Sequence, residues 1–100
     1  MHKKCPVMSV FWLLSKRWML LILRSLNEWK ETFGDIKRSL IWISSKILSE
    51  RLSELQMEWY VDRMIIQEKP IKIRYSVTEK WKSLWDCIWE IDNWARLNTN

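Results

Sequence analysis

Residues 44–57 read Ser-Ser-Lys-Ile-Leu-Ser-Glu-Arg-Leu-Ser-Glu-Leu-Gln-Met, and the fold turns on this stretch. At about 100° per residue, Leu48, Leu52 and Leu55 fall in a narrow arc that a helix must turn toward a core. Ser44 stands where its hydroxyl can cap the first turn. Lys46, Ser49, Glu50 and Ser53 occupy the opposite side, so the outward face is small and polar, with its cation in the first turn. Such a face suits a DNA major groove, because short side chains permit close approach and an entering cation meets phosphate or a guanine edge. An ordinary solvated helix carries the same pattern. The flanking segments decide between the two.

Upstream, Thr32 can cap a short helix that turns Phe33, Ile36 and Leu40 inward and Lys37 and Arg38 outward, and Ile41-Trp42-Ile43 breaks it. Residues 7–26 have a helical apolar period, interrupted at Ser15-Lys16-Arg17, and residues 27–31 read as a polar turn. Downstream of Glu58 the period changes to two. Residues 60–66 and 71–77 are β-branched and aromatic runs joined by Gln67-Glu68-Lys69-Pro70, a hairpin. In its second strand Ile71, Ile73, Tyr75 and Val77 share one face, and Lys72, Arg74 and Ser76 the other. Thr78 caps a last helix with Glu79 in its first turn and a stripe of Leu84, Ile88, Ile91 and Ala95. Four helices, two strands and a helix in this order make a mainly α fold with a small β-hairpin (α+β), the winged helix-turn-helix. One domain is expected over residues 5–97, with 1–4 and 98–100 as flexible termini.

Bulk properties agree and exclude much else. The chain has 100 residues, 48% of them hydrophobic, enough for one core but not two. A net charge of +5 and a pI near 9.4 favour a polyanionic partner. Cys5 and Cys87 are too few for a secreted disulfide framework, and one histidine supports no zinc site. The longest apolar run, Trp18 to Leu23, is far too short for a membrane span, and no secretory cleavage pattern follows it; a cytoplasmic protein is expected. With no phosphate loop and no Ser/His/Asp set, neither an enzyme nor a cofactor is expected.

The residues resemble the HxlR-type winged-helix regulators. The resemblance is carried by Cys5-Pro6-Val7, by Leu13-Leu14-Ser15-Lys16-Arg17-Trp18 running to Ile22-Leu23-Arg24, and by Phe33 to Leu40 as Phe-x-x-Ile-x-x-Ser-Leu. It continues in Ile43-Ser44-Ser45-Lys46-Ile47-Leu48-Ser49-Glu50-Arg51-Leu52-Ser53-Glu54-Leu55, in Pro70 to Glu79, and in Trp94. Each piece is weak alone, but the set in this order covers about Cys5 to Ala95.

The resemblance implies a transcriptional regulator without catalysis, a homodimer joined through its first and last helices, bound to a two-fold double-stranded DNA operator. By position, Ser44, Ser45, Lys46, Ser49 and Arg51 belong to the recognition segment, Lys37 and Arg38 to the preceding helix, and Lys69, Lys72 and Arg74 to the wing. These cations are expected on backbone phosphates, giving affinity more than sequence preference. Arg51 lies off the outward face, where it can contact phosphate or brace the fold. The resemblance also permits Cys5 to sense oxidants or electrophiles. Lys3, Lys4 and a nearby helix start would favour its thiolate, and a reduced, partly buried thiol is the alternative. Cys87 reads as small core packing. A competing function is a protein-interaction module on the same scaffold, since Glu50 and Glu54 would repel phosphate.

Nine tryptophans against one glycine invert the usual composition. The family pattern has glycine where this chain has Trp29, Trp42, Trp59 and Trp81, whereas Trp18 and Trp94 match family tryptophans. A residue just past a helix end often takes the left-handed conformation, at about 1–2 kcal/mol for a residue bearing a side chain. Some bacterial lineages read UGA as glycine and others as tryptophan, and reading a gene with the wrong table yields this substitution at these four positions. Trp81, Trp85 and Trp89, spaced i, i+4, i+8, could alternatively form a dimer face.

Overall fold

The computed structural model describes residues 6–99. Its elements are α1 (Pro6–Leu14), α2 (Met19–Asn27), α3 (Phe33–Ser39), α4 (Ser45–Met57), β1 (Val61–Glu68), β2 (Ile71–Val77) and α5 (Glu79–Asn98). The order is the expected one, a winged helix-turn-helix. At the centre lies α2, whose Met19, Ile22, Leu23 and Leu26 are all buried at helical spacing. Onto it close Ile36 of α3, Leu48, Leu52 and Leu55 of α4, and Val61 at the root of the hairpin. The buried Ser25 hydroxyl meets that of Ser39 at 2.8 Å; Ser39 donates its own proton to the Ile36 carbonyl, so Ser25 is the donor in the pair.

Two helix ends share one geometry. Past α2, Lys30 N–H donates to Ser25 O and Trp29 N–H to Leu26 O; past α4, Tyr60 N–H donates to Leu55 O and Trp59 N–H to Gln56 O. This paired closure is the Schellman motif, whose C′ residue is left-handed and usually glycine. Here Trp29 (φ 70°) and Trp59 (φ 65°) fill those positions, with rings 84% and 72% exposed, so burial offsets little of the backbone cost. Trp18 (φ 75°) is also left-handed, but its ring packs against the core with the Arg17 guanidinium 5.9 Å from its centroid. Trp42 is exposed without a positive φ. Trp81 differs from all of these. It sits in the first turn of α5, fully buried, edge-on to Tyr60 and tilted against Trp85. Its indole N–H has no hydrogen-bond partner among the described residues. The orphaned donor costs about 1–3 kcal/mol, less than the roughly 3–5 kcal/mol lost on emptying such a site. Packing therefore wins at 81.

The hairpin is tighter than its sequence suggests. β1 runs to Glu68 and pairs antiparallel with β2 from Val61↔Val77 to Glu68↔Ile71, with an irregularity between Ile65 and Gln67 that leaves Ile66 unpaired as a bulge. Its base is fastened on both sides. Tyr75 N–H donates to Glu31 O at 2.7 Å. The Thr78 hydroxyl donates to Trp59 O and accepts from Trp81 N–H, capping α5 while closing the α4–β1 corner.

One expectation for α5, the core packing of Cys87, needs correction. Leu84 and Ile88 do pack against the core, but Ile91 is exposed along with Trp89, Trp94 and Leu97, because the 20-residue helix outruns the body. Cys87 is exposed rather than core packing; it lies on the shoulder of the helix, off the stripe of Trp81, Trp85 and Ile88.

The corner between α1 and α2 also holds α4. Lys16 Nζ bonds Glu54 Oε2, Arg51 Nη1 bonds Glu54 Oε1 at 2.7 Å, and Arg51 Nε donates to Arg17 O at 3.0 Å. Burial pushes the Glu54 carboxyl up, but the Lys16 hydrogen bond and the Arg51 charge outweigh it and hold the group below the ordinary glutamate range.

Replacing Trp29 and Trp59 together by glycine should raise the thermal midpoint by roughly 8–16 °C, from about 1 kcal/mol of relieved strain at each site. Trp81→Ala should cost about 3–5 kcal/mol, and Trp81→Phe far less. A flat or lower midpoint for the double glycine variant removes the strain argument. UGG codons at 29, 42, 59 and 81 end the UGA reading. Because the folded-state carboxyl of Glu54 is depressed, its stabilisation is full above the unfolded glutamate value and drains as pH falls below about 4.3. Wild-type protein should therefore lose stability more steeply in that range than Glu54→Gln, as measured by denaturant melts.

Candidate nucleic-acid interface

α3, a five-residue turn (40–44) and α4 form the unit that could meet a duplex. Thr32 starts α3, its Oγ1 accepting from Asp35 N–H at 3.1 Å. Side-chain hydrogen bonding from Thr32 to the Asp35 carboxylate, with a further bond from Arg38, draws that carboxyl below its ordinary value. In the turn, Ile43 N–H donates to Leu40 O at 3.0 Å and both side chains are buried, which leaves Ile41 and Trp42 outside. Ser44 then caps α4, its Oγ accepting from Ile47 N–H at 3.1 Å. The cap occupies an acceptor and leaves the Ser44 hydroxyl proton free to turn outward.

Beyond the cap, Ser45, Lys46, Ser49, Glu50 and Ser53 are all exposed. No other part of the described chain covers this face, and Lys46 has no ion pair among the described residues. The leucine row is buried directly behind it. Packing thus presents the hydroxyls and the amine together, at the first two turns.

The remaining expected residues divide. Lys37 is half-buried at its base, and Arg38 is exposed but held to Asp35 at 2.6 Å. Lys69, at the hairpin turn, and Lys72 are exposed. Arg74 shares the Lys72 face, opposite Met64, and pairs with Glu31 at 3.4 Å. Of the two roles open to Arg51, bracing is what its geometry provides: the side chain is 17% exposed and committed to Glu54 and the Arg17 carbonyl. Cys5 lies outside the described residues.

The tie between Lys16 and Glu54 was not expected at this site. Glu54 stands three residues after Arg51, a local hint of a pair, but its partner Lys16 is 38 residues away and no local pattern reveals it. One consequence bears on charge. Glu54 turns into the protein, so Glu50 is the carboxylate left on the outward face.

The chain is similar to known proteins in sequence and in fold. The family model described as HxlR-like helix-turn-helix matches residues 13–100. The chain is 43% identical over 83 residues to the HTH-type transcriptional regulator YvaP of Bacillus subtilis, covering 83% of this chain and 77% of YvaP. It is 40% identical over 92 residues to the HTH-type transcriptional regulator YodB of Bacillus subtilis, covering 91% of this chain and 82% of YodB. The reduced form of YodB superposes with a TM-score of 0.82 at 37% identity, covering 98% of this chain and 97% of that one. The quinone-bound form superposes with a TM-score of 0.79 at 36% identity, covering 94% and 99%. No helix among the described residues is long and apolar enough to cross a membrane. Matched in sequence and in fold over most of its length, the chain belongs to the HxlR-like helix-turn-helix family of transcriptional regulators.

Proposed function

We propose that this protein is a sequence-specific DNA-binding regulator that acts in the cytoplasm, without catalysis or cofactor, as a homodimer on a two-fold operator in double-stranded DNA. The observation that carries the reading is the outward face of α4, where Ser45, Lys46 and Ser49 are exposed and uncovered at the N-terminal end of the helix. In a winged helix this end enters the major groove. Ser44, Ser45 and Ser49 approach base edges, and Lys46 meets phosphate or guanine. Lys37, Arg38, Lys69 and Lys72 hold the flanking backbone. Arg51 and Arg74, each paired within the fold, act mainly by holding the surface in shape. Met8, Phe11 and Trp12 of α1, with Trp89, Ile91, Trp94 and Leu97 of α5, leave apolar surface that a second copy would cover. Two such subunits place recognition helices in major grooves about 34–36 Å apart.

YodB has been solved in reduced and quinone-bound forms. With Cys5 ahead of α1, the corresponding reading here is a regulator whose DNA affinity falls when the Cys5 thiolate is oxidised or alkylated. The competing reading, a protein-interaction module, keeps only Glu50 in its favour, because Glu54 faces inward.

Selection from random duplex DNA tests the main reading, and should recover a two-fold sequence with half-sites one helical turn apart. If the five candidate cations of each subunit neutralise on the order of ten phosphates, affinity should fall by roughly 10³–10⁵ between 50 and 200 mM salt. Lys46→Glu should cost about 100-fold or more on the selected duplex; unchanged affinity removes α4 from the groove. Cys5→Ser should bind as tightly as wild type yet resist release by a quinone. Equal release of both proteins rules Cys5 out as the sensor.

A further inference from the structure

The leucines of α4 fix which side of the helix is dry, but apolar contact is non-directional and resists a small rotation weakly. Direction comes from hydrogen bonds. Among the described residues, the side-chain hydrogen bonds that tie α4 to another element all lie on one flank, between the leucine row and the outward face, and all go to the α1–α2 corner: Glu54 to Lys16 and Arg51 to the Arg17 carbonyl. Arg51 and Glu54 also hold each other at 2.7 Å, so the three side chains form one unit. The corner itself is stiff. Ser15 N–H bonds Phe11 O, Lys16 N–H bonds Leu13 O, Met19 N–H bonds Lys16 O, and Trp18 locks the left-handed turn between them.

Small rotations of α4 matter for reading bases. A helix with its side chains has a radius of about 5–6 Å, so turning it by about 15° moves an outward tip by roughly 1.5 Å. Hydrogen bonds between short serines and base edges fail over that distance, whereas long lysines on phosphates follow it. Rotational setting therefore governs discrimination and leaves general affinity largely alone.

We propose that Lys16, Arg51 and Glu54 are positioning residues, a clamp that sets the rotation of α4 against the α1–α2 corner and so makes base discrimination depend on the placement of α1. The proposal rests on the DNA-reading role of α4. α1 is suited to be the input, since its exposed Met8, Phe11 and Trp12 lie about one to two turns before the corner. Whatever packs on that face shifts Lys16 and the Arg17 carbonyl, and through them the serines of α4.

The test compares wild type, Lys16→Gln, Glu54→Gln and the double variant, which restores the wild-type net charge. Affinities are measured for the duplex recovered by selection and for a random-sequence duplex of equal length, beside thermal midpoints and amide hydrogen exchange at residues 15–19 and in α4. Each single variant should lower the ratio of the two affinities about 10-fold, and the double variant no further, because one clamp is broken in all three. Exchange should quicken together at the corner and in α4, with random-duplex affinity of the double variant unchanged. A ratio within twofold of wild type in all variants overturns the clamp, as does a loss equal on both duplexes. If Glu54→Gln does not fold, Lys16→Gln carries the comparison, since it leaves the Arg51–Glu54 pair intact. A wild-type protein that prefers no duplex sinks the DNA reading instead; exchange then decides, and uncoupled exchange at the corner and α4 overturns the clamp.

Discussion

Leu48, Leu52 and Leu55 are buried only because α4 keeps its other side in water, and everything proposed for this surface depends on that division. Each buried leucine contributes about 1.5–3 kcal/mol. Turning the helix by half a revolution would forfeit all three and drive Lys46 and Glu50 into the core, at several kcal/mol apiece. The core therefore enforces the presentation of Ser45, Lys46 and Ser49. No separate device is needed to hold them out; finer aiming is left to the polar flank.

Internal pairing also shapes the charge of that side. Glu31, Asp35 and Glu54 are each engaged by an arginine or lysine of the same chain, and Glu50 is the carboxylate of α3 and α4 that has no ion pair among the described residues. Lys46, Lys69 and Lys72 have no ion-pair partner among the described residues. On this side, then, the unpaired lysines project while Glu31, Asp35 and Glu54 are neutralised within the fold, and Glu50 is the acidic group left among them.

Much of this was legible beforehand, for stated reasons. Capping hydroxyls at Thr32, Ser44 and Thr78 mark helix starts because they act on donors two or three residues away, within the reach of any local reading. The apolar periods of α2, α3, α4 and β2 are equally local. What escaped depends on distance or on where the body ends. Ile91 continues the stripe of α5, but no part of the described residues reaches that far to cover it. Cys87 is small and apolar, yet points off the stripe. Lys16 and Glu54 meet only because the corner folds over α4. The tryptophans show both outcomes: at 29 and 59 the left-handed backbone follows from position at a helix end, whereas at 81 a position grouped with them holds a ring wrapped by Tyr60 and Trp85.

Beyond its base, where Glu31 O takes the Tyr75 N–H, the two-stranded wing leaves an open backbone edge on each side, and Met64, Ile65 and Ile71 along it are exposed. Such a ribbon invites strands from other molecules to add on. The bulge at Ile66 works against this, since an unpaired residue interrupts the run of evenly spaced donors and acceptors that a foreign strand would need. Pro70, beside the tip, lacks an N–H altogether. The irregular end of the wing is thus a safeguard for solubility, and straightening it by removing Ile66 would make a more regular hairpin and a stickier protein.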